Sequence, residues 1–320
     1  MDSIGGYFGL EIKPFSDHYH KKAIRFHSGR MGFEYILIAR QYKKVYLPYY
    51  TCAVMLEPLQ KLNIAFEFYH INKNLEPVDV PVLQEREAFV YTNYFGLKQQ
   101  CVKQLAQQYG NQLIVDNAQA FFAKALPGID ALYSPRKFFG VADGCYLYCD
   151  KQLDVEFSQA FSFDRMAHLL KRTDIGAKAG YDDFKANDEA LSHQPIMKMS
   201  ALTEKLLKSI DYELVIETRR RNYQKVDQAL RQSNQFDLTY SEDAVPMVYP
   251  FLPKQNTNLK KKLIENKIFV ATYWPNVMEW CVENEWEYQL AQNTCFLPVD
   301  QRYGEREMDY MIDLILKLIK

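Results

Sequence analysis

YSPRKFFGVADG, Tyr133 to Gly144, places a serine three residues before a lysine, directly after the apolar run ALYS from Ala131 to Ser134. A lysine held at the end of a buried strand loses its proton more easily once desolvated, and it can then condense with an aldehyde. The hydroxyl of Ser134 is placed to hold an anionic group of the same ligand. On its own the S-x-x-K spacing also fits serine hydrolases of the β-lactamase type, or a plain surface lysine.

Two stretches upstream narrow the choice. VDNAQA, Val115 to Ala120, follows from the apolar run QLIVD and puts the carboxylate of Asp116 at a strand end. Such a carboxylate is costly without a cationic partner. A pyridinium nitrogen is one, and pairing with aspartate keeps that ring an electron sink. Gln119 is spaced to donate to a phenolic oxygen on the ring. An aspartate that merely caps the next helix would read the same way. Farther out, HSGRMGFEYIL (His27 to Leu37) sets Ser28 and Gly29 before an amphipathic helix, where free amides and the helix dipole make an anion site. A simple cap with glycine for close approach is the alternative there. Taken together, an anion site, a strand-end aspartate with glutamine, and then S-x-x-K are far more specific than any one of them.

The intervening pattern predicts an α/β domain with a largely parallel sheet. Helical spacing covers Gly29 to Tyr42 and Cys52 to Leu62, and a further helix runs from Lys98 to Tyr109. Strands are expected over Val45–Pro48, Ala65–Ile71, Ala88–Thr92, Gln112–Asp116, Ala131–Ser134 and Gly144–Asp150. Polar residues gather at the C-terminal ends of these strands, where open α/β sheets bind ligands. After about residue 150 helices dominate, including a long one over Glu213–Leu230. It leads into a smaller α+β unit at roughly 235–320, and the domain boundary is expected at 210/211.

Bulk properties exclude more than they select. The 320 residues are 48% apolar and 25% charged, and 39 basic against 40 acidic residues leave a net charge of −1. That balance gives no electrostatic case for nucleic acid or an anionic membrane. Lys260-Lys261-Lys262 is expected on a solvated helix face. No basic and apolar leader opens the sequence, and no run approaches the roughly 18 apolar residues of a membrane span. The six cysteines form neither a CxxC pair nor a disulfide framework, and Cys145 with Cys149 lacks two further metal ligands, so reduced thiols in a cytoplasmic protein are expected. The 23 tyrosines and 20 phenylalanines suit aromatic pockets or an aromatic core equally.

In this order the blocks SGRMGFEYIL, VYLPYYTCAVMLEPL, YTNYFG (Tyr91–Gly96), VDNAQA and SPRKFFGVADG resemble the DegT/DnrJ/EryC1/StrS family of pyridoxal-phosphate (PLP) sugar aminotransferases. The likeness is good over about residues 25–150. It continues more weakly through MSALTEKLL (Met199–Leu207), RRRNY (Arg219–Tyr223), YWP (Tyr273–Pro275) and LPVDQRYGEREM (Leu297–Met308). The resemblance implies fold type I, the aspartate-aminotransferase fold, with a large three-layer domain. It implies that Lys137 carries PLP as a Schiff base and moves the reaction's proton, with its burial tuning its basicity. Asp116 would pair with the pyridine nitrogen and Gln119 with the ring oxygen. Ser28, Gly29 and Arg30 would bind the phosphate through the backbone, and Ser134 through its hydroxyl. A homodimer acting on an amino donor, glutamate for preference, and a keto-sugar nucleotide in cell-surface polysaccharide or related sugar biosynthesis is implied as well.

The chain departs from that family at several points. Cys52 stands where an aromatic residue stacks on the cofactor, leaving Tyr50, Tyr49 or Tyr94 to cover the ring. The serine-to-lysine spacing is shorter, and Ile196 replaces an asparagine shortly before Lys198-Met199-Ser200. These changes keep two alternatives open: another PLP reaction on an amino acid or ketone, and a non-catalytic binding or regulatory relative. Retention of Lys137 argues against the dehydratase branch, in which histidine replaces it. Tyr7, Phe8, Tyr273 and Trp274 are candidates for pocket walls or core, and His27 and His70 are given no role.

Overall fold

A computed structural model describes residues 4–254 and 258–319. Strand β1 (Ile24–Phe26) leads into α1 (Gly29–Arg40), followed by β2 (Lys44–Pro48), α2 (Leu56–Lys61) and β3 (Ala65–Tyr69). Then come β4 (Glu87–Thr92), α3 (Gln99–Tyr109), β5 (Leu113–Asp116), β6 (Asp130–Tyr133) and β7 (Cys145–Tyr148). These strands make one seven-stranded sheet in the order β1-β7-β6-β5-β4-β2-β3. Five neighbours run parallel from β3 to β6, while β7 is antiparallel to both β6 and β1.

Alternation along each strand explains the three layers. Phe89, Tyr91, Leu113, Val115, Ala131 and Tyr133 face one side. Ala88, Val90, Ile114 and Leu132 face the other, against Met31, Phe33, Ile36 and Leu37 near or within α1's apolar side. Both faces are covered, so the central strands read as continuous apolar runs. The expected strands are present with ends shifted by one to two residues. β1, three residues long, is too short to leave a periodic signal. The helix expected over Cys52–Leu62 is instead a 3-10 turn (Ala53–Met55) followed by the short α2. Pro58 sits in the first turn of α2, where its missing N–H costs no helical bond. α1 stops at Arg40 because Gln41 turns left-handed (φ 57°) and returns its N–H to Ile38.

The remainder is helical until late in the chain: α4 (Ala167–Asp174), α5 (Tyr181–Ala190), α6 (Ala201–Lys208) and α7 (Tyr212–Leu230). Asp211 caps α7 by accepting from the Leu214 N–H at 3.0 Å. Beyond it, β8 (Val248–Phe251), α8 (Leu259–Glu265), α9 (Val277–Trp280), α10 (Trp286–Asn293), β9 (Cys295–Pro298) and α11 (Glu305–Leu318) form the expected α+β part, with β8 and β9 paired antiparallel. Val226, Leu230, Phe251, Leu297 and Ile315 of this part share one continuous apolar core with Phe89, Tyr91 and Phe121 of the large sheet.

Two expectations are corrected, and Trp274 takes the core alternative. Lys260 is not on a solvated face: its Nζ folds back to donate to the Ala291 carbonyl at 2.7 Å, near the last turn of α10, and its burial lowers its pKa to about 8. Tyr7 and Phe8 are 98% and 96% exposed and line neither pocket nor core. Trp274 is core, packed edge-on to Tyr50 at 5.2 Å, and Tyr273 packs on Phe296 at 4.8 Å.

All six cysteines are free thiols. Among the described residues, Asp130, Cys149 and Asp150 have metal-ligand spacing, but a guanidinium already fills the cluster. Arg40 makes a bidentate pair with Asp130 (2.8 Å for each bond) and reaches Asp150 at 2.5 Å. Among those residues, no helix is long and apolar enough to cross a membrane.

Behind β6 and β7 lies a buried histidine–tyrosine cluster. His20 Nε2 donates to the Phe121 carbonyl at 2.7 Å, and the Tyr148 hydroxyl approaches its Nδ1 at 3.3 Å. Burial pushes the His20 pKa down to about 4. The unfolded chain therefore binds a proton near pH 6.5 that the folded chain refuses until about pH 4, so this group's stabilisation is present above pH 6.5 and is lost as pH falls through that window. In urea melts at pH 7 and pH 4.5, His20→Phe should lose about 2–3 kcal/mol less than the parent between the two pH values. Equal losses would show that His20 is not the group responsible.

Candidate active site

The lysine turn is fixed at both ends. β6 delivers Ser134 to the rim of the sheet, and Pro135 opens a 3-10 turn that ends at Lys137, with Phe138 and Phe139 N–H groups bonding to the Pro135 carbonyl. Gly144 then approaches so closely that a Cβ would lie 2.8 Å from Pro135 Cγ, at a φ of +126° that side chains rarely adopt. Beside it Asp143, fully buried, accepts from the Ser200 N–H (3.0 Å), the Ser200 hydroxyl (2.8 Å) and the Thr203 hydroxyl. On the other side the Arg219 guanidinium lies 4.5 Å from the Phe138 ring centre. Gln301 donates to the Phe138 carbonyl at 2.7 Å and accepts from Arg219 Nε at 2.9 Å. Contrary to expectation, Lys137 itself is exposed, because the turn sends Phe138 and Phe139 into the core and leaves the lysine at the rim.

Asp116 lies at the end of β5 in register with Thr92 of β4. Its carboxylate is buried and accepts from the Ala118 N–H at 2.8 Å. Burial pushes its pKa up to about 6, against the opposing effects of that N–H and of the positive charge on Lys137. Lys137 and Asp116 therefore lie within electrostatic reach of each other. Gln119 accepts from the Phe95 N–H at 3.2 Å, while its Nε2, though buried, has no partner among the described residues. The same is true of Thr92 Oγ1 and of the Tyr50 hydroxyl.

Of the tyrosines considered for ring stacking, Tyr49 is engaged elsewhere, stacked on Phe68 at 4.8 Å. Tyr94 is coupled to the Asp116 charge and donates its hydroxyl to the Tyr50 carbonyl at 2.9 Å. Cys52, half-buried, starts the 3-10 turn after Thr51.

The third component is the start of α1. Ser28 is its extended N-cap, yet the hydroxyl makes no capping bond and is buried without a partner among the described residues. Gly29 and Arg30 open the helix, and Arg30 Nε lies 3.1 Å from Glu57 Oε2. His27 accepts from Arg165 Nη2 at 2.9 Å through its Nε2, since arginine can only donate. Burial holds His27 neutral, with its pKa lowered to about 4. Thr92, Arg136, Arg165 and His27 were not singled out as functional from the sequence. Arg136 stands inside SPRK itself, whereas Arg165 meets His27 across 138 positions and leaves no local signal.

The Ser28 hydroxyl and Gln119 Nε2, unpartnered among the described residues, the start of α1 and the buried Asp116 carboxylate are of the kinds that fit the phosphate, ring oxygen and ring nitrogen of a phosphorylated pyridine. Because the native Asp116 pKa is raised, its contribution to stability is full below pH 3.8 and is lost as pH rises through about 6. The stability of Asp116→Asn relative to the parent should thus rise by about 2–3 kcal/mol between pH 4 and pH 7 in the cofactor-free protein. A pH-independent difference in denaturant midpoints would contradict the raised pKa.

No protein-family model and no curated protein matches the sequence. Solved structures do. A DegT DnrJ EryC1 StrS aminotransferase from Brucella abortus superposes with a TM-score of 0.62 at 14% identity, over 92% of this chain and 85% of that one. The sugar aminotransferase CalS13 from Micromonospora echinospora gives 0.61 at 11% identity, over 93% and 88%. NtdA from Bacillus subtilis, with the cofactor PMP bound, gives 0.64 at 14% identity, over 93% and 73%. The chain therefore has the fold of the PLP-dependent aminotransferases of fold type I, and its resemblance to the DegT/DnrJ/EryC1/StrS proteins extends from the motifs to the architecture.

Proposed function

We propose that this chain is a PLP-dependent aminotransferase that moves an amino group from an amino acid, glutamate for preference, to a keto-sugar nucleotide. The observation that carries this reading is the buried Asp116 within the field of Lys137, set among buried polar groups without partners. CalS13, a solved protein of the same fold described as a sugar aminotransferase, and the Brucella abortus aminotransferase support the choice of reaction. A large domain of residues 1–210 and a smaller one of 211–320, a homodimer, a cytoplasmic location and a place in polysaccharide or related sugar biosynthesis complete the proposal.

When bound, PLP supplies an electron sink that weakens the Cα–H bond of an amino acid. Lys137 Nζ is the amine that would hold the cofactor's aldehyde and, when free, would carry the proton to and from the substrate carbon. Asp116 holds the positive charge at the ring nitrogen, a task that relieves its own burial cost. Gln119 Nε2 donates to the ring oxygen. The Gly29 and Arg30 amides with the Ser28 and Ser134 hydroxyls hold the phosphate. Tyr94 and Tyr50 stand where Cys52 leaves the ring uncovered. A different acceptor ketone is the second reading, and it is favoured by Cys52 and by Ile196, which packs against the α1 face of the sheet.

Purified protein with added PLP should show an absorbance band at about 410–430 nm that borohydride fixes onto Lys137 and that Lys137→Ala lacks. Glutamate should move the band toward about 330 nm. A band that responds to other amino acids or amines but not to glutamate would point to the second reading. A colourless protein that takes up no PLP would remove the enzyme reading and leave a binding relative of the fold.

A further inference from the structure

Three guanidinium groups converge beside the start of α1, more cationic charge than the proposed cofactor roles use. Arg30 lies in the first turn of α1, Arg136 in the turn between Ser134 and Lys137, and Arg165 ends the 3-10 turn Phe163–Arg165. Burial is the main influence on His27, the residue before Ser28, the Asp143 carboxylate opposes it, and all three guanidinium groups add to it. Burial likewise disfavours the charge on Arg136, Asp188 supports it, and Arg30 and Arg165 both repel it. Their side chains are only 11%, 14% and 13% exposed.

The compensating carboxylates are Glu57, Asp188 and the buried Asp143, the last already bonded to Ser200 and Thr203. Glu57 approaches Arg30 at 3.1 Å, and the half-exposed Asp188 meets Arg136 Nη2 at 2.9 Å. Arg165 is held by neutral acceptors, Asn187 Oδ1, the Phe161 carbonyl and His27 Nε2, each at 2.9 Å, with the exposed Asp164 at 3.9 Å. The helix dipole of α1 adds further positive potential at the same place.

Like charges crowded out of water repel strongly, and an arrangement that retains them calls for an anion. Independent polar groups point the same way. Ser28 Oγ and His27 Nδ1, each on a residue only 3% exposed, have no partner among the described residues, and neither does Arg136 Nε. Since His27 accepts at Nε2 and is neutral, its Nδ1 carries a hydrogen, so it too is a donor in wait.

We infer that Arg136, backed by Arg30 and Arg165, grips the phosphate group that α1 and Ser134 are placed to receive. The inference rests on the PLP reading for the identity of that phosphate. A guanidinium is the side chain best suited to it, because its fork matches two phosphate oxygens at once. Arg136 is thus a binding residue one position from the reactive lysine, and the phosphate it holds fixes where the aldehyde meets Lys137 Nζ.

The test uses the full-length cofactor-free protein with Arg136→Ala, Arg136→Gln and Arg136→Lys, each checked for native circular dichroism. PLP, phosphate-free pyridoxal and uridine diphosphate are titrated separately by absorbance and tryptophan fluorescence. Arg136→Ala should weaken PLP about 10- to 100-fold, the loss of one or two charge-assisted bonds, and leave pyridoxal unchanged. Arg136→Lys should fall between. If alanine is not tolerated, glutamine should give the same loss. PLP affinity equal to the parent's in a folded variant would overturn the inference, as would loss of uridine diphosphate binding with PLP binding intact. If the parent takes up no PLP yet inorganic phosphate raises its melting temperature and not that of Arg136→Gln, the anion grip stands while the cofactor reading falls.

Discussion

The Asp143 carboxylate, sealed from solvent and satisfied by Ser200 and Thr203, is the constraint on which the site depends. It ties the loop that follows Lys137 to the beginning of α6, some sixty residues away. Next to that anchor Gly144 lies against Pro135, and β7 re-enters the sheet antiparallel to β6. Ser200 serves twice, since its hydroxyl also caps α6 through the Thr203 N–H. The Lys198-Met199-Ser200 triplet therefore has a structural reason of its own, whether or not a partner chain uses it.

Charge in the site is arranged to be incomplete. Asp116 is an anion held in a place that disfavours anions, and Arg30, Arg136 and Arg165 are cations held where cations repel one another. Each end carries a cost of burial that the folded chain bears alone. A ligand with a cationic ring at one end and a dianionic group at the other would offset both costs at once. In this sense the site's unsatisfied groups describe the charge pattern of its occupant, and stability has been given up locally to keep that description.

Much of this was legible in the sequence because the chemistry lies in short, ordered blocks at strand ends. Asp116, Gln119, Ser134 and Lys137 fall where periodicity placed the ends of β5 and β6, and the alternation of Phe89/Tyr91 against Ala88/Val90 announced a sheet buried on both sides. What escaped was long-range or asymmetric. The exposure of Lys137 follows from the course of a single turn, which no window of residues reports. Arg165, Asn187 and His27 meet only through folding, and Lys260 reads as one of three equivalent lysines until α10 supplies a carbonyl. Tyr7 and Phe8 look like core residues by composition and prove exposed, since nothing in a local pattern says whether a partner surface exists.

The continuity of the core beneath both sheets has a consequence for the life of the protein. Phe251, Leu297 and Ile315 pack into the same apolar mass as Phe89 and Phe121, so the proposed boundary at 210/211 does not divide the core. Loosening the last hundred residues would therefore uncover apolar surface that also closes one face of the large sheet, so the two parts are expected to unfold together.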